Sequence, residues 1–235
     1  MPTHGGIVRV LAEDRELGGG LDPWRLAAAT AEVGAAVKIL DRGDWNEVRW
    51  PASVRRGAGL LVLDGLLLRY VEIEGRKGAE LLGSGDLLRP WQQDETGASL
   101  PERSGWRVLS RSRVALLDVR FMERIADYPE IQGRLVERSW SRASRIAVAV
   151  AIVNQPLVDM RLRMMLWHLA NRWGTARAEG VLIPRLSESV LGELIAASRP
   201  TVSSILNSME RLGEITRTPE GWLLHDPPAG AGPSP

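Results

Sequence analysis

The sequence contains no cysteine in 235 residues and only three histidines, His4, His168 and His225. The first absence excludes disulfides, thiolate zinc sites, iron–sulfur clusters and a cysteine nucleophile. The second leaves histidines too far apart in sequence for a histidine-rich metal site, so no metal and no cofactor is expected. Lysine is nearly absent too: of 30 basic residues only Lys38 and Lys77 are not arginine. Against 29 acidic residues the net charge is +1, which excludes a strongly basic coat. Any contact with a polyanion must then come from arginines placed locally. Arginine suits bidentate pairing with phosphate and guanine, although a GC-rich genome produces the same bias. The longest apolar run, Ile146–Val153, falls well short of the roughly 20 residues that cross a bilayer. Residues 1–16 carry charge throughout and lack an apolar stretch, so no secretory signal is read. A cytoplasmic protein with no membrane partner is expected.

The length suffices for one large domain or two modest ones. Asp127-Tyr128-Pro129 and Asn154-Gln155-Pro156 divide the chain into 1–128, a connector 129–154 and a C-terminal unit 155–226. The Pro- and Gly-rich tail 227–235 is expected to be disordered. In the first region an alanine-rich helix is predicted over about 23–33. From 35 to 118 short apolar runs alternate with turn signals. Leu60–Leu63, then Asp64-Gly65, then Leu66–Glu74 read as a two-residue hairpin. Val71 and Ile73 alternate with Glu72 and Glu74, the period of a half-buried strand. After a turn at Glu74–Gly78, Ala79–Leu82, Trp106–Leu109 and Arg113–Leu117 add strands. Many short strands with regular turns imply an antiparallel β-roll, jelly-roll or cupin-like. Trp45, Trp50, Trp91 and Trp106 either pack its core or line a pocket.

Residues 130–153 contain no proline and one glycine, Gly133, with apolar positions at Ile131, Leu135, Ile146, Ala149, Val150 and Val153. A long helix is predicted there, and its uncovered side is a natural homodimer seam. In the C-terminal unit a helix over about 157–173 places Val158, Leu162, Met165, Leu166, Leu169 and Trp173 on one face. Val181–Ile183 reads as a strand. Ser187 caps a second helix running to Ala197, and Ser198 caps a third, with Pro200 tolerated in its first turn. Val202, Ile205, Leu206, Met209 and Leu212 form the third helix's buried stripe, and Gly213 ends it. Glu214–Arg217 and Trp222–His225 make a hairpin. The fold class is therefore α+β: an N-terminal β-roll, a long central dimerisation helix and a C-terminal winged helix-turn-helix. His168 reads as a structural or exposed helix residue and His225 as solvated.

A helix-turn-helix must present short polar or bidentate side chains along the outer edge of its second helix. Turning the apolar stripe inward leaves Ser198, Arg199, Thr201, Ser203, Ser204 and Asn207 outside. Arg199 is suited to guanine O6 and N7, and Ser198 and Thr201 to phosphate oxygens. Pro200 shares this edge, and Thr216 and Arg217 in the wing supply further phosphate contacts.

The segment Leu186–Ile215 resembles the DNA-binding part of CRP/FNR-family transcription regulators. An apolar helix, Ser198-Arg199-Pro200-Thr201-Val202, and a helix closing at Gly213-Glu214-Ile215 follow in the family's order. The layout upstream is similar to the family's cyclic-nucleotide-binding-type roll and dimerisation helix. The resemblance implies that Ser187, Ser198 and Thr201 meet phosphates and that Arg199 reads a base. Pro200 and Ser203-Ser204 depart from the family's acidic residue and second arginine, so the base preference of its best-known members does not transfer. Ala196 stands where glycine is frequent. In the roll, Gly83–Trp91 holds the place of the nucleotide-binding loop, but no Arg-Ser-Ala or Arg-Thr-Ala follows. Gly85, Asp86 and Arg89 remain a candidate effector pocket, without cyclic nucleotide as the expected ligand.

The leading expectation is a homodimeric, sequence-specific regulator with helix 198–211 in the major groove of a palindromic operator. Double-stranded DNA, a second copy through 130–153, and RNA polymerase are its partners. The alternative is a ligand-binding or scaffolding protein whose winged domain mediates protein contacts, which near-neutral charge and Ser204 favour. An enzyme is not expected: residues 35–118 hold no histidine, and no base–nucleophile pair stands out.

Overall fold

The computed structural model describes residues 4–45, 50–94 and 102–225; the tail 227–235, expected to be disordered, lies outside them. The chain divides into two compact units, Met1–Gly75 with Ala79–Ser144, and Arg145–Pro235 with Arg76–Gly78.

In the first unit, β1 (His4–Arg9), β2 (Gly34–Leu40), β9 (Ser112–Leu117), β4 (Gly59–Asp64) and β7 (Leu87–Leu88) form a five-stranded sheet in that order. A second sheet has the order β3 (Gly43–Trp45), β8 (Glu102–Val108), β5 (Leu66–Ile73) and β6 (Arg76–Gly83). The pairs β1–β2, β2–β9, β9–β4, β4–β7, β3–β8 and β8–β5 are antiparallel. Strand β4 explains the unbroken run Leu60–Leu63. Leu60 and Val62 join the cluster of Trp45, Trp50, Leu67, Leu82, Trp91 and Trp106. Leu61 and Leu63 instead meet Val10, Ala29, Phe121, Ile131 and Leu135. These come from α1 (Val10–Glu13), α2 (Pro23–Glu32), α4 (Val119–Arg124) and α5 (Pro129–Val153). A strand covered on both faces has no polar face to alternate with. The short α3 (Ala52–Arg55) adds Val54 to the tryptophan cluster.

Two strand expectations are corrected. Asp64-Gly65 is not a hairpin, because β4 and β5 belong to different sheets. Gly65 lies at φ 94°, and a Cβ there would come within 2.1 Å of the Ser112 hydroxyl oxygen, so the chain passes between sheets where only glycine fits. The two-residue turn falls instead at Glu74-Gly75, both at positive φ as a type I′ turn requires. The alternation at Val71–Glu74 does not mark a buried face either: Val71 and Glu72 are both half-buried and Ile73 is exposed.

Trp45, Trp50, Trp91 and Trp106 are core residues, all buried. Trp45 meets Trp50 and Trp106 edge to face, with centroids 6.0 and 5.8 Å apart. None of the four indole N–H groups has a hydrogen-bond partner among the described residues.

Helix α5 buries Ile131 and Leu135 and continues the same stripe with Arg138 and Arg142. Arg138 donates to both Asp14 oxygens, the Nη2 contact at 2.7 Å, and to the Gly85 carbonyl at 3.2 Å. Arg142 donates to both Glu80 oxygens at 2.7 Å and to the Leu87 carbonyl at 3.0 Å. Burial alone would lower the Arg142 pKa; the Glu80 carboxylate, with Asp86 adding to it, outweighs burial and holds the guanidinium above its ordinary value.

The second unit contains α6 (Val158–Trp173), β10 (Thr175–Arg177), β11 (Gly180–Pro184), α7 (Glu188–Ile195), α8 (Arg199–Arg211), β12 (Ile215–Arg217) and β13 (Gly221–Leu224). The sheet order is β10-β11-β13-β12, antiparallel throughout. Strand β10 has all three residues exposed, so no apolar alternation announces it. Leu162, Met165, Leu166 and Leu169 of α6 are buried, while Val158 and Trp173 are half-buried. The buried stripe of α8 is Val202, Leu206 and Met209. Leu212 is not part of it: it is the C-cap residue, past the last helical turn, and is 66% exposed. No helix among the described residues is long and apolar enough to cross a membrane.

Candidate nucleic-acid interface

The angle between α7 and α8 is set locally. Ser187 caps α7 by accepting the Val190 N–H at 3.3 Å. The helix ends at Ala196 in the left-handed region, φ 53° and ψ 48°, and the Ala197 N–H returns to the Gly192 carbonyl at 2.9 Å. Alanine thus adopts the conformation usually given to glycine, at a cost of roughly 1–2 kcal/mol. Gly192 has a different reason to be glycine: a Cβ there would lie 2.6 Å from the Ala197 carbonyl oxygen.

Ser198 caps α8 by accepting the Thr201 N–H at 3.3 Å, and its oxygen lies 2.8 Å from the Thr201 hydroxyl. Pro200 has no N–H to offer and the Thr201 N–H is engaged, so hydroxyls rather than main-chain donors dominate this helix start. At the other end the Gly213 N–H bonds Glu210 and the Glu214 N–H bonds Met209, at 3.1 and 3.0 Å. With Gly213 at φ 74°, this is a Schellman closure.

Ser187, Ser198, Arg199, Pro200, Thr201, Ser204 and Asn207 are all exposed, and Ser203 is half-buried. Arg199 is 74% exposed; its Nε donates to a Glu188 oxygen at 3.4 Å. In the wing Thr216 and Arg217 are exposed. The Arg217 guanidinium lies 4.9 Å from the Trp222 ring centroid and 4.0 Å from Glu210. His225 is not simply solvated. Its Nδ1 lies 2.8 Å from the Glu179 carbonyl and its Nε2 lies 2.7 Å from the Thr216 hydroxyl. A carbonyl only accepts, so Nδ1 donates, and in the neutral ring Nε2 accepts from Thr216. His225 thereby ties the wing strand to the β10–β11 turn. His168 in α6 is half-buried, and burial, with Arg145 nearby, lowers its pKa from the ordinary 6.5.

All three candidate effector residues of the roll have main-chain partners, but only Asp86 is buried; Gly85 is half-buried and Arg89 exposed. The Gly85 N–H donates to the Val62 carbonyl at 2.9 Å and its own carbonyl receives Arg138. The Asp86 carboxylate, 3% exposed, accepts the Gly83 N–H at 2.9 Å. Arg89 donates to the Arg55 carbonyl at 2.9 Å and lies 5.9 Å from the Trp91 ring centroid. Glu188, which touches two α8 side chains, escaped the sequence reading. An acidic residue in a first helical turn signals only a favourable macrodipole.

No family model matches the sequence, and no curated protein does. Solved structures do match in fold. A cyclic nucleotide-binding domain containing protein from Listeria monocytogenes EGD-e has a TM-score of 0.64 at 15% identity, over 80% of this chain and 87% of that one. A CRP-family transcriptional regulator from Thermus thermophilus gives 0.56 at 20% identity, over 80% and 92%. CLP of Xanthomonas campestris, a c-di-GMP responsive global regulator, gives 0.56 at 16% identity, over 87% and 100%. The chain therefore has the fold of the CRP/FNR regulators, a β-roll, a long helix and a winged helix-turn-helix, as the Leu186–Ile215 resemblance implies.

Proposed function

We propose that the chain is a homodimeric, sequence-specific DNA-binding transcription regulator. The observation that carries this reading is the outer edge of α8. Ser198, Arg199, Thr201, Ser204 and Asn207 stand exposed while Val202, Leu206 and Met209 anchor the opposite side. Such an edge matches a major groove, with Arg199 for a base, Ser187, Ser198 and Thr201 for phosphates, and Thr216 and Arg217 extending the contact from the wing.

Dimerisation is supported by α5. Gly133, Val136, Trp140, Ala143, Ala147 and Val150 recur at three- and four-residue spacing and all are exposed, Trp140 at 71%. That is the spacing of a paired-helix seam. Two copies would set two α8 helices on a palindromic operator about one helical turn apart. The roll would bias the population of DNA-competent dimers or serve as a structural domain. It is not proposed to bind cyclic nucleotide, because the Asp86 carboxylate is buried and engaged by the Gly83 N–H, and no Arg-Ser-Ala or Arg-Thr-Ala segment follows the loop.

Gel-shift assays with a randomised duplex pool test the reading. A palindromic site retained at moderate salt is expected, with affinity falling steeply as salt rises, since phosphate neutralisation releases counterions. Absence of such a site overturns the reading, and binding insensitive to salt points to the protein-contact alternative. By sedimentation the chain should be a dimer, and Trp140→Glu should give monomers.

A further inference from the structure

The Glu188 carboxylate plays no part in capping α7, yet it engages two α8 side chains at once. The Arg199 Nε–H donates to Oε2 at 3.4 Å and the Ser203 hydroxyl donates to Oε1 at 3.2 Å. The Glu188 side chain is only 23% exposed and so is held in place, whereas Arg199 stands out in solvent. What matters is which arginine nitrogen is occupied. With Nε engaged, the guanidinium plane is oriented by the protein and both terminal Nη groups keep donors free of the carboxylate. Guanine presents O6 and N7 as adjacent acceptors on its major-groove edge, the pair that two parallel N–H donors match.

We propose that Glu188 is a positioning residue that orients Arg199 for a guanine in each half-site. This rests on the DNA-binding reading above. The same carboxylate places a negative charge beside the duplex, which weakens contact with any sequence that lacks the bidentate reward. Discrimination therefore rises while affinity for arbitrary DNA falls. An ion pair this exposed contributes little to stability, so its effect belongs in base choice rather than in folding. A merely structural role, favouring the start of α7 through the helix dipole, would leave base choice untouched.

The test uses the full-length chain and the tightest duplex it selects from a randomised pool, with each guanine replaced in turn by 7-deazaguanine, which lacks the N7 acceptor. The wild-type chain should lose about tenfold in affinity at one guanine per half-site, on the scale of a bidentate contact. Arg199→Ala should be indifferent to that replacement. Glu188→Ala should lose most of the sensitivity and bind random-sequence duplex more tightly. Glu188→Gln keeps an acceptor for Nε but not the charge; it should retain partial sensitivity, and it carries the test if the alanine variant folds poorly. Wild-type sensitivity in both Glu188 variants overturns the proposal while leaving the DNA-binding reading intact. Failure of the wild-type chain to select any duplex overturns that reading, and this proposal with it.

Discussion

In the roll, Arg138 and Arg142 are 15% and 20% exposed, and each clasps a carboxylate with two N–H groups while a further contact meets a main-chain carbonyl. In the winged unit, Arg199 is 74% exposed and Arg217 46%, each with a single carboxylate at 3.4 Å or beyond. One residue type thus serves as a strut at Arg138 and Arg142 and as an offered donor at Arg199 and Arg217. The winged unit holds a strut of its own in Arg163, 24% exposed and bonded to both Glu214 oxygens and to Asp159. The difference lies in how many acceptors the surrounding chain supplies. An arginine whose fork is filled and buried has nothing left for a ligand, whereas one held at a single nitrogen keeps donors for phosphate or base.

The largest effect that would sharpen this contrast is at the strut. Arg142→Met leaves Glu80 without its counter-charge and the Leu87 carbonyl without its donor, and should destabilise the chain by about 3 kcal/mol in urea unfolding. An unfolding free energy close to wild type would erase the distinction between clasped and offered arginines. Arg199→Ala should do the reverse. Stability should stay within about 0.5 kcal/mol of wild type, while about 1–3 kcal/mol is lost at one base position in competition binding. Equal weakening on every duplex would reduce Arg199 to a phosphate contact. Ala196→Gly should stabilise the winged unit by about 1 kcal/mol in thermal unfolding, because the left-handed turn then carries no Cβ. A lower melting temperature would show that the turn is not strained.

The smallest effect is a pH dependence. The lowered His168 pKa means that the folded chain favours the neutral ring, while the unfolded chain takes up a proton below about 6.5. The contribution to stability is therefore complete above about pH 6.5 and is lost as the solution is acidified toward the folded-state pKa. His168→Gln should flatten that slope in urea unfolding measured between about pH 5 and pH 7.5.

The winged unit was legible because its signals are local. Ser187 and Ser198 cap helices within three residues of their own positions, the apolar stripe of α8 repeats at helical spacing, and Gly213 closes the helix where only a left-handed residue serves. The roll was legible as a class but not in detail. Asp64-Gly65 carries the same local signature as a hairpin, yet β4 pairs with β9, about fifty residues further along, and Gly65 is required by its approach to Ser112. Strand β10 is exposed at every position and left no pattern to read. Glu188 was invisible as a site residue because its partners lie 11 and 15 residues away on another helix.

Caps, helix periods and the order of elements follow from interactions within a few residues, so the amino-acid sequence alone determined α2, α5, α6, α7 and α8, the winged layout and the outward edge of α8. The short helices α1, α3 and α4 left no period to read. Strand partners, the inward turn of Arg138 and Arg142, the main-chain duties of Asp86 and Arg89, and the grip of Glu188 on Arg199 were decided only in three dimensions. Each depends on which groups distant in sequence come within hydrogen-bond reach, and no local pattern encodes that distance.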